Sequence, residues 1–201
     1  TGELTVSGDV AQELEKTSEL IRFPSAIFPG PYTLSQLATD EYYGSETSFL
    51  EAMGEFVQGE VNAFPDINHL ILLEPSLSFN PPSTEHKEIF LKSIEEIKNT
   101  LKEEIVIQTY WGTFDREVYS DLLELDVGIG FDFVTEVESN LALLNKLGSP
   151  KTASIGVVNG QNTNVESFGE VKEIVDRVIE TGADIQNVIV NSNTGLFYLP
   201  E

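Results

Sequence analysis

Two carboxylates stand directly after apolar runs in this chain: Glu74 behind His69-Leu70-Ile71-Leu72-Leu73, and Asp132 behind Val127-Gly128-Ile129-Gly130-Phe131. A carboxylate at the end of a buried strand can move a proton in acid or base catalysis, so these two are the candidate catalytic residues. Other apolar runs also end in hydrogen-bonding or aromatic side chains. Gly30 and Tyr32 lie in Pro29-Gly30-Pro31-Tyr32-Thr33, and Gln108, Tyr110 and Trp111 close Ile105-Val106-Ile107. Asn159 and Asn162 lie in Asn159-Gly160-Gln161-Asn162, and Asn191 and Thr194 in Asn191-Ser192-Asn193-Thr194. These are the candidate substrate-binding residues. Each has a plainer reading too. Glu74 before Pro75 can cap a loop, Asp132 alternates with Phe131 and Phe133 and so points away from both, Asn159-Gly160 is a favoured turn dipeptide, and an indole is more often core than platform.

The elements that must position these residues follow from the hydrophobic pattern. Amphipathic stretches predict helices over Asp9–Ile21, Glu46–Phe64, Thr84–Leu101, Arg116–Leu125, Glu138–Leu147 and Ser167–Thr181. β-rich runs begin at Ser25, His69, Glu104, Val127, Ala153 and Asn187, and a short first strand over Leu4–Val6 brings the expected number to about seven. Repeated βα units imply parallel strands with right-handed helical crossovers. Such strands are covered on both faces, which fits the unbroken apolar character of Leu70–Leu73 and Ile105–Ile107. An open doubly wound sheet and a (β/α)8 barrel both satisfy the pattern. In either, ligands bind at the carboxyl ends of the strands, where the polar residues above are found. Asn80-Pro81-Pro82-Ser83-Thr84 reads as a stiff loop ending in a helix cap at Ser83 or Thr84.

Composition narrows the chemistry. The 201 residues suit one domain, with 34 acidic against 11 basic side chains and a net charge of −23. That field repels phosphate backbones, so nucleic acid is not an expected partner. The acids are spread along the chain, as in proteins of a salt-rich cytoplasm or in an ordinary acidic protein. No run reaches the roughly 18 apolar residues of a membrane span and no secretory pattern opens the sequence, so a cytoplasmic protein without a membrane partner is expected. There is no cysteine, which excludes thiol nucleophiles and thiolate metal sites. His69 opens a strand and His86 sits in a helix, and no HExxH, Gly-x-Ser-x-Gly, Walker or Gly-x-Gly-x-x-Gly motif is present. No cofactor or metal ligand is assigned within the chain; Mg²⁺ held by Glu74 and Asp132 alone has no support from spacing.

Taken in order, the strand ends resemble the cobalamin-independent methionine synthase family. Gly30-Pro31-Tyr32-Thr33-Leu34 is similar to that family's Gly-Pro-x-Thr-Leu loop, and Leu73-Glu74-Pro75-Ser76-Leu77 to its Asp-Glu-Pro-Ala-Leu. Gln108-Thr109-Tyr110-Trp111-Gly112 resembles the Gln-Thr-Tyr-Phe-Gly of its N-terminal barrel, and Gly128-Ile129-Gly130-Phe131-Asp132-Phe133 resembles Gly-Ile-Gly-Leu-Asp-Phe. Gly156 to Thr163 resembles Gly-Val-Val-Asp-Gly-Arg-Asn-Thr, and Asn191 to Pro200 resembles the terminal Asn-Pro-x-Cys-Gly-Leu-x-x-Leu-Pro.

The resemblance implies a single (β/α)8 barrel domain over residues 1–201, without its first strand and expected to be a segment of a longer protein. It also implies methyl transfer from a folate-type or other one-carbon donor to homocysteine, whose thiol zinc binds and deprotonates in the catalytic barrel. The family's His-x-Cys pair falls on Tyr110 and Gly112, its zinc-binding Glu on Asp132 and its terminal Cys on Thr194, so the metal set is absent and the pattern sits nearer the N-terminal, non-catalytic barrel. Three functions follow as expectations. The first is a zinc-less lobe holding a pterin, an amino acid or a partner surface, with a zinc-bearing paralogous barrel as partner and homocysteine, methionine or a folate as ligand. The second is a metal-free enzyme using Glu74 or Asp132, and the third a structural subunit. Any activity retained is expected to be of homocysteine S-methyltransferase type.

Overall fold

The computed structural model describes residues 2–22 and 24–196. Residues 197–200, which end the last stretch of family resemblance, lie outside that set. The order of elements is α1 (Asp9–Ser18), β1 (Ala26–Pro29), α2 (Pro31–Leu37), α3 (Glu46–Asn62), β2 (His69–Leu73), α4 (Ser76–Phe79), α5 (Thr84–Thr100), β3 (Glu104–Gln108), α6 (Arg116–Glu124), β4 (Gly128–Asp132), α7 (Val137–Leu147), β5 (Ala153–Val158), α8 (Phe168–Glu180), a 3-10 turn (Ile185–Asn187) and β6 (Val188–Ser192). The six apolar runs from Ser25 onward all form strands. Leu4–Val6 does not: Leu4 N donates to Tyr43 Oη at 2.8 Å, and the next residue after the segment, Ser7, donates its N–H to Glu60 Oε1 at 2.5 Å. Among the described residues, no helix is long and apolar enough to cross a membrane.

The chain folds as two compact units, Thr1–Ile105 and Val106–Glu201. In the first, β1 and β2 pair in parallel, Ala26 with Leu70 through Pro29 with Leu73. Ala26, Phe28, Leu70 and Leu72 are all buried, and Phe28 meets Phe64 edge-on at 6.0 Å, so this face of the pair lies under the helices. The alternate residue Ile27 is 60% exposed, so β1 is covered on one face only, not on both as expected. Helix α3 packs on α5, burying Phe49, Leu50, Met53, Val57 and Val61 at helical spacing together with Phe90, Ile94 and Ile97. The helices approach closely where Gly54 meets Ser93, since a Cβ at 54 would lie 2.3 Å from Ser93 Oγ. Each starts on a serine cap: Ser45 accepts from Ser48 N, and Ser83 from His86 N.

In the second unit β3, β4, β5 and β6 pair in parallel in chain order. Phe131 points to the helices and joins Phe114, Tyr119 and Phe133 at centroid distances of 5.8–6.2 Å. The Tyr119 hydroxyl donates to Gly148 O at 2.6 Å, and burial raises its pKa. Helix α6 opens on Asp115, which accepts from Glu117 N and Val118 N, and α8 opens on a capping box between Ser167 and Glu170.

Candidate functional site

In the first unit, Glu74 continues the buried side of Leu70 and Leu72 and is fully buried. Its Oε1 accepts from Tyr32 N at 2.9 Å and its Oε2 from Thr33 N at 2.6 Å, so the carboxylate caps the first turn of α2 from outside. Gly30 is the counterpart of that cap. A Cβ there would lie 2.2 Å from Glu74 Oε1, so only glycine leaves room for the carboxylate. Burial pushes the Glu74 pKa up to about 7, against the lowering effect of the Thr33 and Tyr32 donors. Tyr32 is 2% exposed, and its hydroxyl donates to Asn80 O at 2.7 Å. Burial and the nearby Glu74 push that phenol up to about 12, so it stays protonated.

In the second unit, side chains two apart along a strand share a face, and parallel partners share it across the ladder. One row of this face is Gln108, Gly130 and Ser154; the next is Asp132, Gly156 and Asn191. The two glycines decide what the rows can hold. A Cβ at Gly130 would stand 2.0 Å from Gln108 Oε1, and one at Gly156 would stand 2.6 Å from Asn193 Cα. Gln108 therefore lies across β4, its Oε1 accepting from Ser154 Oγ at 3.0 Å and from Asn191 Nδ2 at 3.4 Å. Asn191 Nδ2 also donates to Ser154 Oγ at 2.8 Å, while Asn191 Oδ1 is buried without a hydrogen-bond partner. Gly130→Ala is expected to push Gln108 off this floor and lower stability by about 1–3 kcal/mol, the usual cost of overpacking. A shift of the urea midpoint checks it, and an unchanged midpoint would show that Gln108 has another place to go.

Asp132 is fully buried and organises the rim above that floor. Its Oδ2 accepts from Trp111 N at 2.8 Å and Thr135 Oγ1 at 2.7 Å, its Oδ1 from Val134 N at 2.9 Å and Thr135 N at 3.0 Å. Asn193 Nδ2 donates to both oxygens at 3.2 Å. Trp111 has a φ of 62°, a left-handed backbone that a bulky residue adopts only when its surroundings hold it. The hydrogen bond to Asp132 is what holds it, and the indole is left 46% exposed with the Tyr110 ring edge-on at 4.7 Å.

Asn159 and Asn162 each accept from the N–H two residues on, at 2.9 and 2.8 Å, and both therefore build turns. Thr194 is 8% exposed, its Oγ1 donating to Gly195 O at 3.3 Å. The second unit thus gathers Gln108 and Asn191 on the floor and Asp132 with Trp111 on the rim, whereas Glu74, Gly30 and Tyr32 form a separate cap in the first unit. Asn193, Ser154 and Thr135 were not singled out in the sequence. Of these, only Asn193 lay in a strand-end stretch read as polar, and its role depends on the bare backbone at Gly156.

A model of the cobalamin-independent synthase N-terminal domain matches residues 5–182. The chain belongs to the cobalamin-independent methionine synthase family. Among curated members, it is 32% identical over 179 residues to the 5-methyltetrahydropteroyltriglutamate–homocysteine methyltransferase of Lactococcus lactis, covering 80% of this chain and 22% of that protein. It is 23% identical to the methionine synthase of Pyrococcus furiosus over 182 residues, covering 90% of this chain and 52% of that protein. The chain thus spans between about a fifth and about half of these relatives. A B12-independent methionine synthase from Shewanella, solved in complex with selenomethionine, superposes on it with a TM-score of 0.77 at 15% identity, over 98% of this chain and 62% of that one.

The family resemblance implies zinc in catalytic relatives, and the residues present here do not fit it. Tyr110 and Gly112 offer neither imidazole nor thiolate, and Thr194 offers a hydroxyl already turned to a carbonyl. Both oxygens of Asp132 already hold N–H groups. Among the described residues, no group of three or more His, Asp or Glu is placed to hold a metal ion.

Proposed function

We propose that this chain serves methyl transfer to homocysteine as a zinc-less binding lobe: its second unit holds the flat ring of a folate-type donor, and a zinc-bearing paralogous barrel supplies the metal chemistry. The observation that carries this reading is Trp111, just past the end of β3, a half-exposed indole on a left-handed backbone whose N–H is held by the buried carboxylate of Asp132. An aromatic platform is useful to a ligand when it is rigid before binding, because no side-chain freedom is lost on contact. The buried acceptor Asn191 Oδ1 suits an N–H edge such as a pterin carries. Family membership supports the reaction class, since the Lactococcus relative is a homocysteine methyltransferase by name.

A thermal-shift screen with 5-methyltetrahydrofolate, homocysteine and methionine tests the reading. A donor at 100 times its dissociation constant stabilises the native state by about 2.7 kcal/mol. Trp111→Ala is expected to weaken that ligand by about 1–3 kcal/mol, the range for stacking on an aromatic side chain. No shift with any of the three compounds would leave the chain a structural subunit.

The metal-free alternative, with Glu74 or Asp132 as acid or base, has the near-neutral pKa of Glu74 in its favour. Against it, the oxygens of both carboxylates already accept main-chain N–H groups, which suits them to positioning. Methyl transfer appearing only on addition of a zinc-bearing family member goes with the lobe; turnover by this protein alone goes with the alternative.

A further inference from the structure

Asn159-Gly160 is the sole Asn-Gly dipeptide in the sequence. Such a pair is chemically labile, because glycine carries no Cβ to shield its own nitrogen. That nitrogen loses its proton and bonds to Cγ of the asparagine; the bond from Cγ to Nδ2 breaks and ammonia leaves, taking up the proton. Water then opens the five-membered imide at either carbonyl, giving aspartate or the isomer whose backbone runs through the former side chain.

Both groups that must meet are already engaged in the folded protein. Gly160 N donates to Asn193 Oδ1 at 3.0 Å in a buried bond, and Asn159 Oδ1 accepts from Gln161 N at 2.9 Å. Asn193 is itself anchored. Its Nδ2 donates to both Asp132 oxygens, and its Cα sits directly over Gly156. We propose that Asn159-Gly160 is a deamidation site held latent by Asn193, which keeps the attacking nitrogen occupied as long as the Asp132 network is intact. Conversion places a second carboxylate beside Glu166, whose Oε1 accepts from Asn159 N at 2.8 Å. The isomer also displaces Gly160, which has no space to move: even a Cβ there would lie 2.8 Å from Thr194 O. One conversion thus disturbs the hydrogen bonds that run from Gly160 through Asn193 to Asp132.

Peptide mapping by mass spectrometry, during incubation at mildly alkaline pH, tests this on the protein as it stands. The native protein, the same protein held in urea and Asn193→Ala are compared, with Asn162-Thr163 in the same loop as internal reference. Conversion at 159 is expected to be at least about tenfold slower in the native protein than in urea, and faster in Asn193→Ala than in the native protein by about tenfold, the rate equivalent of one net hydrogen bond. The reference dipeptide should convert alike in the folded variant and the parent. Equal rates in native and unfolded protein overturn the proposal, as does a folded Asn193→Ala protein that converts no faster than its parent. If that variant does not fold, hydrogen exchange decides: a protected Gly160 amide in the native protein supports the latch, and a freely exchanging one overturns it.

Discussion

Asp132→Ala is expected to lower the free energy of unfolding by about 3–5 kcal/mol, because several buried or half-buried donors lose their acceptor at once and each orphaned group costs about 1–3 kcal/mol before water reaches it. The donors are Trp111 N, Val134 N, Thr135 N, Thr135 Oγ1 and Asn193 Nδ2. Asp132→Asn is expected to fall between the two, since it keeps one acceptor oxygen but turns an amide N–H₂ toward N–H groups. The protein has a single tryptophan, so intrinsic fluorescence reports on this site without background. Loss of the Asp132 bond frees the left-handed backbone at 111, and the fluorescence anisotropy of Asp132→Ala should drop under native conditions. A variant with parental urea midpoint and anisotropy would mean that Asp132 does not hold the rim.

Stability is expected to fall between about pH 4.5 and pH 7 through Glu74. Its folded pKa, about 7, lies above its ordinary value of 4.5, so the native state holds a proton there that the unfolded chain has released. The contribution is whole below the ordinary value and is lost as pH rises through the folded one. A shift of this size corresponds to about 3 kcal/mol. Glu74→Gln carries no titrating proton, and its midpoint relative to the parent isolates the effect from the other carboxylates. Asp40 and Glu170 act with the opposite sign, because main-chain donors lower them, and they cancel in that comparison. A parent-minus-variant difference that stays flat between about pH 5 and about pH 8 would mean that the two N–H donors on Glu74 outweigh its burial.

The strands and the long helices were legible because each carries enough periodic apolar residues to show which face is buried. The seven-residue α2 and four-residue α4 were not: Pro31–Leu37 and Ser76–Phe79 each span two turns or fewer, too short for a repeat to emerge. Leu4–Val6 shows the opposite failure, since an apolar alternation forms a strand only if a ladder receives it. For the candidate site, the strand-end placement of Gln108, Trp111, Asp132 and Asn191 could be read from the sequence. What could not be read was that Glu74 lies under the helices while Asp132 stands at the rim. That distinction rests on the parity of Leu70, Leu72 and Glu74, and its echo in the sequence is the glycine at 30, forty-four positions earlier. Asn193 escaped notice because its importance comes from Gly156, a residue in another strand.

Glu60, Glu74 and Asp132 are all buried, and each is held chiefly by main-chain N–H groups: Ser7 and Gly8 for the first, Tyr32 and Thr33 for the second, and Trp111, Val134 and Thr135 for the third. A carboxylate paired with an arginine or lysine can lose its partner to a single codon change. The main-chain bonds here are not lost that way, since every amino acid but proline brings the same N–H to its position; the Thr135 Oγ1 and Asn193 Nδ2 bonds to Asp132, by contrast, depend on side-chain identity. Substitution can therefore accumulate at the main-chain donor positions while those bonds persist, and mutational fragility is concentrated in the three acids themselves and, for Glu74, in Gly30, which makes room for it.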